Sequence, residues 1–241
     1  MLVSIILAAG LGKRMQSPLP KVLHEVNGKP LFRWVLDAAE ASGIREHVVV
    51  VGHGRELVEA QFAAENLQFA IQSDQLGTGH AVRMTQPILG KEHGMALILC
   101  GDTPCLNSQT LSQFLKEAME YDVAVLSSDT QNPFGYGRIL RDGYGVLTAI
   151  REHRDCSDKE LLTKEINTGI YAVRLPLLFQ LLSELSCYNS QGEYYLTDII
   201  EVGIRKKLQV EAFKMGNFNE FLGVNTPEQL LEAAAVLGGR G

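Results

Sequence analysis

Small residues and cations stand together directly after the first apolar segment of the chain. Val3 to Leu7 form an apolar run with β-branched residues, which predicts a buried strand. The turn-forming and charged residues that follow are Gly10, Gly12, Lys13, Arg14 and Lys21. Backbone N–H groups and cations at the carboxyl end of a first strand suit a polyphosphate. The segment from residue 3 to residue 21 is therefore interpreted as a triphosphate-binding loop.

Two better-known phosphate loops do not fit this segment. A Walker A loop requires Ser or Thr directly after Lys13, where the chain has Arg14, and it requires glycine where Leu7 stands. A dinucleotide fingerprint requires Gly or Ala where Met15 stands. The alternative to a triphosphate loop is an ordinary glycine-containing turn with scattered surface cations.

Charge distribution favours the phosphate interpretation. Residues 1–33 hold five cations and one glutamate, a net of +4, whereas the whole chain carries −6, so the remainder carries −10. An acidic chain overall is not typical of a nucleic-acid-binding surface. We therefore expect small-molecule substrates and no nucleic-acid partner.

Cysteine, histidine and hydropathy patterns limit the class of protein further. The four cysteines form no Cys-x-x-Cys pair, and the six histidines show no zinc-ligand spacing. No apolar stretch approaches the ~20 residues that span a bilayer. The first apolar run has no cation before it and is too short for a signal peptide. We expect a cytoplasmic protein with reduced thiols and no membrane partner.

Asp102 marks a second junction where chemistry is expected. The apolar strand from Met95 to Cys100 ends in Gly101-Asp102, and Pro104 prevents its continuation. Because ligands of doubly wound sheets sit at strand carboxyl ends, this carboxylate should face the first loop. It is a candidate Mg²⁺ ligand, since Mg²⁺ takes one or two protein oxygens together with phosphate oxygens. A turn or helix-capping role for the aspartate is the alternative.

The elements that must position these residues alternate between strand and helix over the first half of the chain. Helices are predicted at 29–43, 56–64 and 79–86, and strands at 48–51 and 68–72, which indicates a parallel sheet. Glycine-rich turns then suggest short antiparallel strands between residues 135 and 150. We interpret 151–164 as a mobile polar loop, 221–224 as a strand, and 227–237 as the last helix.

Seven blocks, in order, resemble the sugar-nucleotide nucleotidyltransferases, and most of all the pyrophosphorylase domains of bifunctional bacterial N-acetylglucosamine-1-phosphate uridyltransferases. The blocks are Leu7–Met15 with Pro20–Leu23, Gln72–Ala81, Gly101-Asp102, Gly135–Arg138, Glu165–Gly169, Gln191–Asp198 and Gly223–Asn225. The resemblance implies an α/β fold with a Rossmann-like, mostly parallel sheet and a small antiparallel sugar-binding lobe. It also implies one domain over 1–241, with 1–130 mainly nucleotide-binding, 131–225 mainly sugar-binding, and 226–241 a terminal helix and tail.

The resemblance assigns a role to each matching residue. Phosphate-binding, catalytic roles fall to Arg14 and Lys21, and Mg²⁺ ligation falls to Asp102 and Asn225. The nucleotide-binding set is Leu7, Ala8, Ala9, Gly10, Gly12, Gln72, Gly77 and Thr78. The sugar-binding set is Gly137, Glu152, Asn167, Tyr195 and Thr197. For Asn167 and Tyr195, a satisfied core polar group is the alternative.

The implied reaction is Mg²⁺-dependent transfer of UMP from UTP to N-acetylglucosamine 1-phosphate, giving UDP-N-acetylglucosamine and pyrophosphate. The alternatives are a uridyl- or cytidylyltransferase for another phosphorylated compound and a nucleotide-binding module without catalysis. The chain departs from the family at Lys13, Cys100 and Arg151, where Thr, Tyr and an apolar residue are usual. It has no hexapeptide repeats, so we expect no acetyltransferase activity. The oligomeric state is left open.

Overall fold

The computed structural model describes residues 1–239, and in them one nine-stranded sheet with helices on both faces. The strands of this sheet are β1 (Leu2–Leu7), β4 (Glu46–Val51), β5 (Leu67–Ile71), β6 (Met95–Cys100), β7 (Val123–Asp129), β8 (Arg138–Arg141), β9 (Leu147–Arg151), β10 (Glu165–Arg174) and β11 (Val210–Lys214). Seven of them lie side by side in the order β11-β7-β10-β6-β1-β4-β5, and β8 pairs with both β10 and β9. A two-residue hairpin, β2 (Glu25–Val26) and β3 (Lys29–Pro30), stands apart.

Strand direction divides the sheet into a parallel and an antiparallel part. β1 pairs in parallel with β4 and β6, β4 with β5, and β7 with β11. β10 runs antiparallel to β6, β7 and β8, and β8 is antiparallel to β9. The mostly parallel Rossmann-like sheet with a small antiparallel extension confirms the predicted fold class. Strand order reverses at β1, so the carboxyl end of β1 is the expected place for a ligand.

Alternate residues of the central strands face opposite sides of the sheet. The helices are α1 (Leu31–Ala41), α2 (Arg55–Gln61), α3 (Thr78–Arg83), α4 (Gln86–Leu89), α5 (Ser108–Ala118), α6 (Asp158–Leu161), α7 (Leu175–Ser183), α8 (Ile199–Arg205) and α9 (Pro227–Gly238). Ile5 and Val48 pack in one core with α3, α7 and α8, whereas Ile6 and Val49 pack in the other with α1 and α5. Strands buried on both faces need continuous apolar runs, as β1 and β4 have.

Three sequence predictions are corrected by the structure. The loop predicted at 151–164 contains α6 and a 3₁₀ turn at His153–Asp155, and Ser157 and Glu160 form a capping box for α6. The strand predicted at 221–224 is wrong: Phe218–Phe221 is a 3₁₀ turn with its own capping box. The helix predicted at 79–86 is two helices, α3 and α4.

The last helix begins as the sequence indicates. Thr226 caps it by accepting a hydrogen bond from the backbone N–H of Gln229, and Pro227 occupies the first helical position. α9 packs on a third, small apolar cluster that contains Met15 and Val224, so it covers the back of the first loop. The end of the predicted tail, residues 240–241, lies outside the described residues.

Candidate active site

A cavity of about 370 Å³ opens at the carboxyl ends of β1 and β6, where strand order reverses. Seven of the eight predicted nucleotide-binding residues line it: Leu7, Ala8, Ala9, Gly10, Gln72, Gly77 and Thr78. The eighth, Gly12, lines an adjoining cavity of about 230 Å³ together with Lys13, Arg14, Lys21 and Asn225. Lys21 lines both cavities, and the glycine loop lies between them. The larger cavity is mostly apolar, and the smaller one is cationic.

Gly12 fixes the course of the loop. Its φ of +59° is in the left-handed region, and a Cβ there would lie 3.0 Å from Cβ of Lys21. A side chain at this position would therefore be strained and would press on the lysine. Lys13–Met15 then form a 3₁₀ turn that buries Met15 and leaves Arg14 exposed. The turn thus directs the Arg14 guanidinium to the rim of the cationic cavity.

Gln72 is a buried amide with a defined orientation. Its Nε2 donates to the carbonyl of Gly77 at 3.1 Å and lies 3.1 Å from Nδ1 of His80. Burial lowers the pKa of His80, and a neutral ring with its proton on Nε2 accepts this bond at Nδ1. Both amide protons are therefore used within the protein. In the described part of the chain, Oε1 of Gln72 accepts no hydrogen bond, which leaves a single acceptor at the cavity wall.

Lys21, Asp102 and Asn225 meet at the junction of the two cavities. Nζ of Lys21 donates to Oδ2 of Asp102 and, at 3.0 Å, to Oδ1 of Asn225. Nδ2 of the same Asn225 amide donates to the carbonyl of Gly223 at 3.2 Å, which directs Oδ1 toward the lysine. The three residues come from the first loop, the end of β6 and the segment before α9, so the fold brings together positions that are far apart in sequence.

The Asp102–Asn225 pair has the chemistry of a magnesium site. Both donors are hard oxygens, and both already surround one cation, the ammonium group of Lys21. Mg²⁺ characteristically takes one or two protein oxygens and completes its shell with phosphate oxygens and water. Among residues 1–239, no cluster of three or more His, Cys, Asp or Glu side chains is arranged to hold a metal ion. A metal at this pair would therefore complete its shell with water or with oxygens of a substrate.

Glu152 is the charged member of the predicted sugar-binding set. Oγ1 of Thr197 donates to its Oε1 at 3.2 Å. Burial, reinforced by nearby acidic groups, raises the pKa of Glu152 although the bond from Thr197 opposes the shift. Asn167 accepts from the backbone N–H of Gly169 at 3.0 Å, and its own N–H donates to the carbonyl of Gly137 at 2.9 Å. The bond to Gly137 holds the start of β10 against the start of β8.

The predicted sugar-binding residues lie beside the nucleotide cavity and outside its lining, as far as the described residues go. Cys100 stands between the two groups, with its Sγ 3.9 Å from the carbonyl oxygen of Gly169. Burial raises the pKa of its thiol to about 12, so Cys100 acts as a neutral wall residue.

The structure also adds residues that sequence reasoning missed. Gln75 and Glu193 line the cavity with the predicted set. Asp155 accepts hydrogen bonds from Ser190 and Tyr195 and so joins the segments that carry Glu152 and Tyr195. Glu193 lies inside a recognised block, which was a signal for it. Asp155 lies in the stretch interpreted as a loop, where no pattern in the sequence singles it out.

The fold and cleft define a nucleoside triphosphate transferase, and comparison with known proteins gives the family. Residues 4–166 match the MobA-like NTP transferase domain, and the chain belongs to this family. A UDP-glucose pyrophosphorylase whose crystal structure contains UDP-glucose has the same fold, with a TM-score of 0.80, 19% identity and 99% of both chains covered.

Among curated relatives, the chain is similar to the bifunctional protein GlmU of several bacteria. It is 48% identical over 238 residues to that of Caldanaerobacter subterraneus subsp. tengcongensis, covering 98% of this chain and 51% of the relative. It is 43% identical over 232 residues to that of Bacillus subtilis, covering 95% of this chain and 51% of the relative. The chain thus spans about half the length of these relatives.

In residues 1–239, no helix is long and apolar enough to cross a membrane.

Proposed function

We propose that this chain catalyses Mg²⁺-dependent transfer of UMP from UTP to N-acetylglucosamine 1-phosphate, giving UDP-N-acetylglucosamine and pyrophosphate. One observation carries the proposal: a lysine, a carboxylate and an amide oxygen meet where an apolar cavity joins a cationic one. Similarity to proteins named GlmU over nearly the whole chain supports it.

The nucleotide preference follows from the fixed amide of Gln72. Because Nε2 is used by Gly77 and His80, only the oxygen Oε1 faces a base in the cavity. Uracil presents an N3–H donor to such an acceptor, whereas the corresponding nitrogen of cytosine is itself an acceptor. Two facing acceptors repel each other, so this geometry favours uridine over cytidine.

The phosphates would occupy the cationic cavity beside Lys21 and Arg14. The phosphate oxygen of the sugar attacks the α-phosphorus of UTP, a new P–O bond forms, and pyrophosphate leaves with the electrons of the broken bond. Phosphoryl-type transfer needs alignment and charge neutralisation more than a protein nucleophile. Lys21 and Arg14 supply positive charge, and Asp102 with Asn225 would hold Mg²⁺, which neutralises phosphate charge when bound.

The sugar would lie against Glu152 and Asn167. A carboxylate can accept two hydrogen bonds from neighbouring sugar hydroxyls, and an amide can both donate and accept. Thr197 holds Glu152 by a 3.2 Å hydrogen bond, so the carboxylate is oriented before a substrate arrives. Preorganisation of this kind lowers the cost of binding.

A substrate panel tests the proposal. UTP, CTP, ATP and GTP are each combined with N-acetylglucosamine, glucose and galactosamine 1-phosphates, and pyrophosphate release is measured with Mg²⁺ present. We expect UTP with N-acetylglucosamine 1-phosphate to give the highest kcat/KM. A higher value for CTP would show that the inference from Gln72 is wrong. Tight UTP binding without turnover on any sugar phosphate would indicate a binding module.

Variants connect that activity to the junction of the cavities. Lys21→Ala and Asp102→Ala should each lower kcat on the order of 10²–10³-fold, because each removes a group that helps to stabilise the charge that develops during transfer. Circular dichroism and melting curves should show that both variants remain folded. Near-normal pyrophosphate release from either one would refute the assignment of the site.

A further inference from the structure

The segment from residue 189 to residue 197, here called the bridging segment, contacts both sides of the cleft. At one end, the backbone N–H of Tyr194 donates to the carbonyl of Leu76, and the carbonyl of Tyr194 accepts from Gly79, both at 2.8 Å. The backbone N–H of Leu196 donates to Oγ1 of Thr78 at 3.1 Å. These bonds fasten the segment to the turn that lines the nucleotide cavity.

Asp155 fastens the other end of the bridging segment. Its Oδ1 accepts from the backbone N–H of Ser190 at 2.9 Å, and its Oδ2 accepts from Oγ of Ser190 at 3.0 Å and from the hydroxyl of Tyr195 at 3.1 Å. Asp155 itself ends the 3₁₀ turn that begins directly after Glu152. One carboxylate therefore joins the Glu152 segment to the bridging segment with three hydrogen bonds.

The hydroxyl of Tyr195 has a defined direction because of Asp155. Nε2 of Gln191 donates to this hydroxyl at 2.9 Å, and the hydroxyl donates its own hydrogen bond to Oδ2 of Asp155 at 3.1 Å. Tyr195 is 6% exposed, so its ring is held in the wall of the site. Because the hydroxyl proton is used in the hydrogen bond to Asp155, Tyr195 can contact a ligand only by accepting a hydrogen bond at its oxygen or through its ring edge.

We infer that Asp155 is a positioning residue: it orients Tyr195 and ties the bridging segment to the Glu152 segment, so that the sugar side of the cleft is assembled before a sugar phosphate binds. The inference rests on the proposed function for the identity of that substrate. The nucleotide side keeps its own anchors at Leu76, Thr78 and Gly79. Loss of Asp155 should therefore weaken sugar recognition and spare nucleotide recognition.

Steady-state kinetics of Asp155→Ala, Tyr195→Phe and the double variant test this role. Hydrogen bonds to a charged group contribute about 1.5–3 kcal/mol, so we expect each single variant to raise KM for the sugar phosphate roughly 10- to 100-fold. The dissociation constant for UTP should stay within about threefold. Because the Tyr195 hydroxyl is oriented through Asp155, the double variant should be no more impaired than Asp155→Ala alone. Asp158→Asn, an exposed carboxylate three residues away, is the matched control and should leave every constant unchanged.

Hydrogen exchange of the free protein separates this inference from the proposed function. We expect amides in 189–195 to lose protection in Asp155→Ala and to keep it in Asp158→Asn, whatever the substrate is. Multiplicative effects in the double variant, equal losses for UTP and sugar phosphate, or unchanged exchange would each overturn the role of Asp155. If the wild type turns over no sugar phosphate, the proposed function fails, and the exchange measurement alone decides whether Asp155 anchors the segment.

Discussion

At the scale of single residues, Lys21 has two incompatible tasks. Its ammonium group neutralises the Asp102 carboxylate and contacts Asn225. The same two oxygens are the donors that suit Mg²⁺. A metal ion and an ammonium group cannot both occupy the point where these oxygens converge, since like charges at contact distance repel strongly. If a metal ion binds this pair as proposed, the lysine would have to turn toward the phosphates.

Lys21→Met should consequently tighten metal binding while it abolishes efficient turnover. We expect Mn²⁺ to bind the free variant about tenfold more tightly, which corresponds to about 1.4 kcal/mol. Electron paramagnetic resonance of free Mn²⁺ measures this without any turnover. Lys29→Met removes a cation that pairs with Asp37 and is the control. Weaker Mn²⁺ binding by Lys21→Met would mean that the lysine does not compete with the metal ion.

Glu152 gives a prediction about pH. A glutamate accepts hydrogen bonds from sugar hydroxyls best when ionised, and burial raises the pKa of Glu152 above its ordinary value. The acid limb of kcat/KM for the sugar phosphate should therefore lie at a higher pH than an ordinary glutamate would give. Glu152→Gln should raise KM about 10- to 100-fold and remove this limb. Persistence of the limb in the glutamine variant would assign it to another group.

At the scale of elements, the turn before α3 depends on a glycine. Gly77 has a φ of +105°, and a Cβ there would lie 2.6 Å from the carbonyl oxygen of Tyr194. That oxygen belongs to the backbone of the bridging segment and cannot move aside cheaply. The nucleotide cavity and the bridging segment are therefore packed together through a position that admits no side chain.

Gly77→Ala should lower the free energy of unfolding by about 3 kcal/mol and weaken UTP binding, because backbone strain and a steric clash add together. Urea unfolding and calorimetric titration with UTP measure the two effects. Gly143→Ala is the matched control, since its Cβ would meet no heavy atom within 4 Å. Equal stability of the two variants would show that the bridging segment adapts.

The sequence predicted most accurately the strands that are apolar along their whole length and buried on both faces of the sheet. β6 was predicted at Met95–Cys100 and found there, since it lies in the middle of the sheet. The stretch 151–164 was misjudged because α6 has four residues and is held by a capping box, which an apolar periodicity does not reveal. The segment 221–224 resembled a strand because Phe221 and Val224 are buried, but they pack in irregular structure.

The residues of the candidate site that lie in recognisable motifs could be predicted from the sequence. Strand order places the first loop beside Asp102, as the rule for doubly wound sheets anticipates. The direct contact of Lys21 with Asn225 depends on the path by which the chain comes back to the cleft before α9, and no local sequence pattern specifies that path. Asp155 could not be found from sequence, because its partners lie 35 and 40 residues away along the chain.

At the scale of the whole molecule, β10 joins the antiparallel extension to the main sheet. It pairs with β6 over its second half and with β8 at Ile166, and it pairs with β7 on both sides of a register shift between Asn167 and Tyr171. The buried carboxylate of Glu165, at the start of this strand, accepts hydrogen bonds from Arg141 at 2.9 and 3.0 Å and from Ser127 at 2.6 Å. These residues lie on β8, β10 and β7.

Arg141→Met should destabilise the protein because it removes the nearest cation of the Glu165 carboxylate, which is 8% exposed, and leaves the more distant Lys214 at 3.8 Å. Removing one partner of a buried pair costs about 3–5 kcal/mol. Arg205→Met breaks the exposed pair with Glu184 and should cost at most about 1 kcal/mol. Urea unfolding at pH 7 compares the two variants.

The pH dependence of that loss tests its electrostatic origin. Burial alone would raise the pKa of Glu165, but the hydrogen bonds from Arg141 and Ser127 and the charge of Arg141 outweigh it, so the pKa is lowered in the folded protein. A lowered carboxylate pKa stabilises the fold above the unfolded pKa, and this contribution disappears as pH falls through the folded pKa. Without Arg141, Glu165 can protonate in the folded state, so the difference between variant and wild type should shrink from pH 7 to pH 4. An undiminished difference at pH 4 would show that Arg141 contributes through packing of its side chain rather than through its charge.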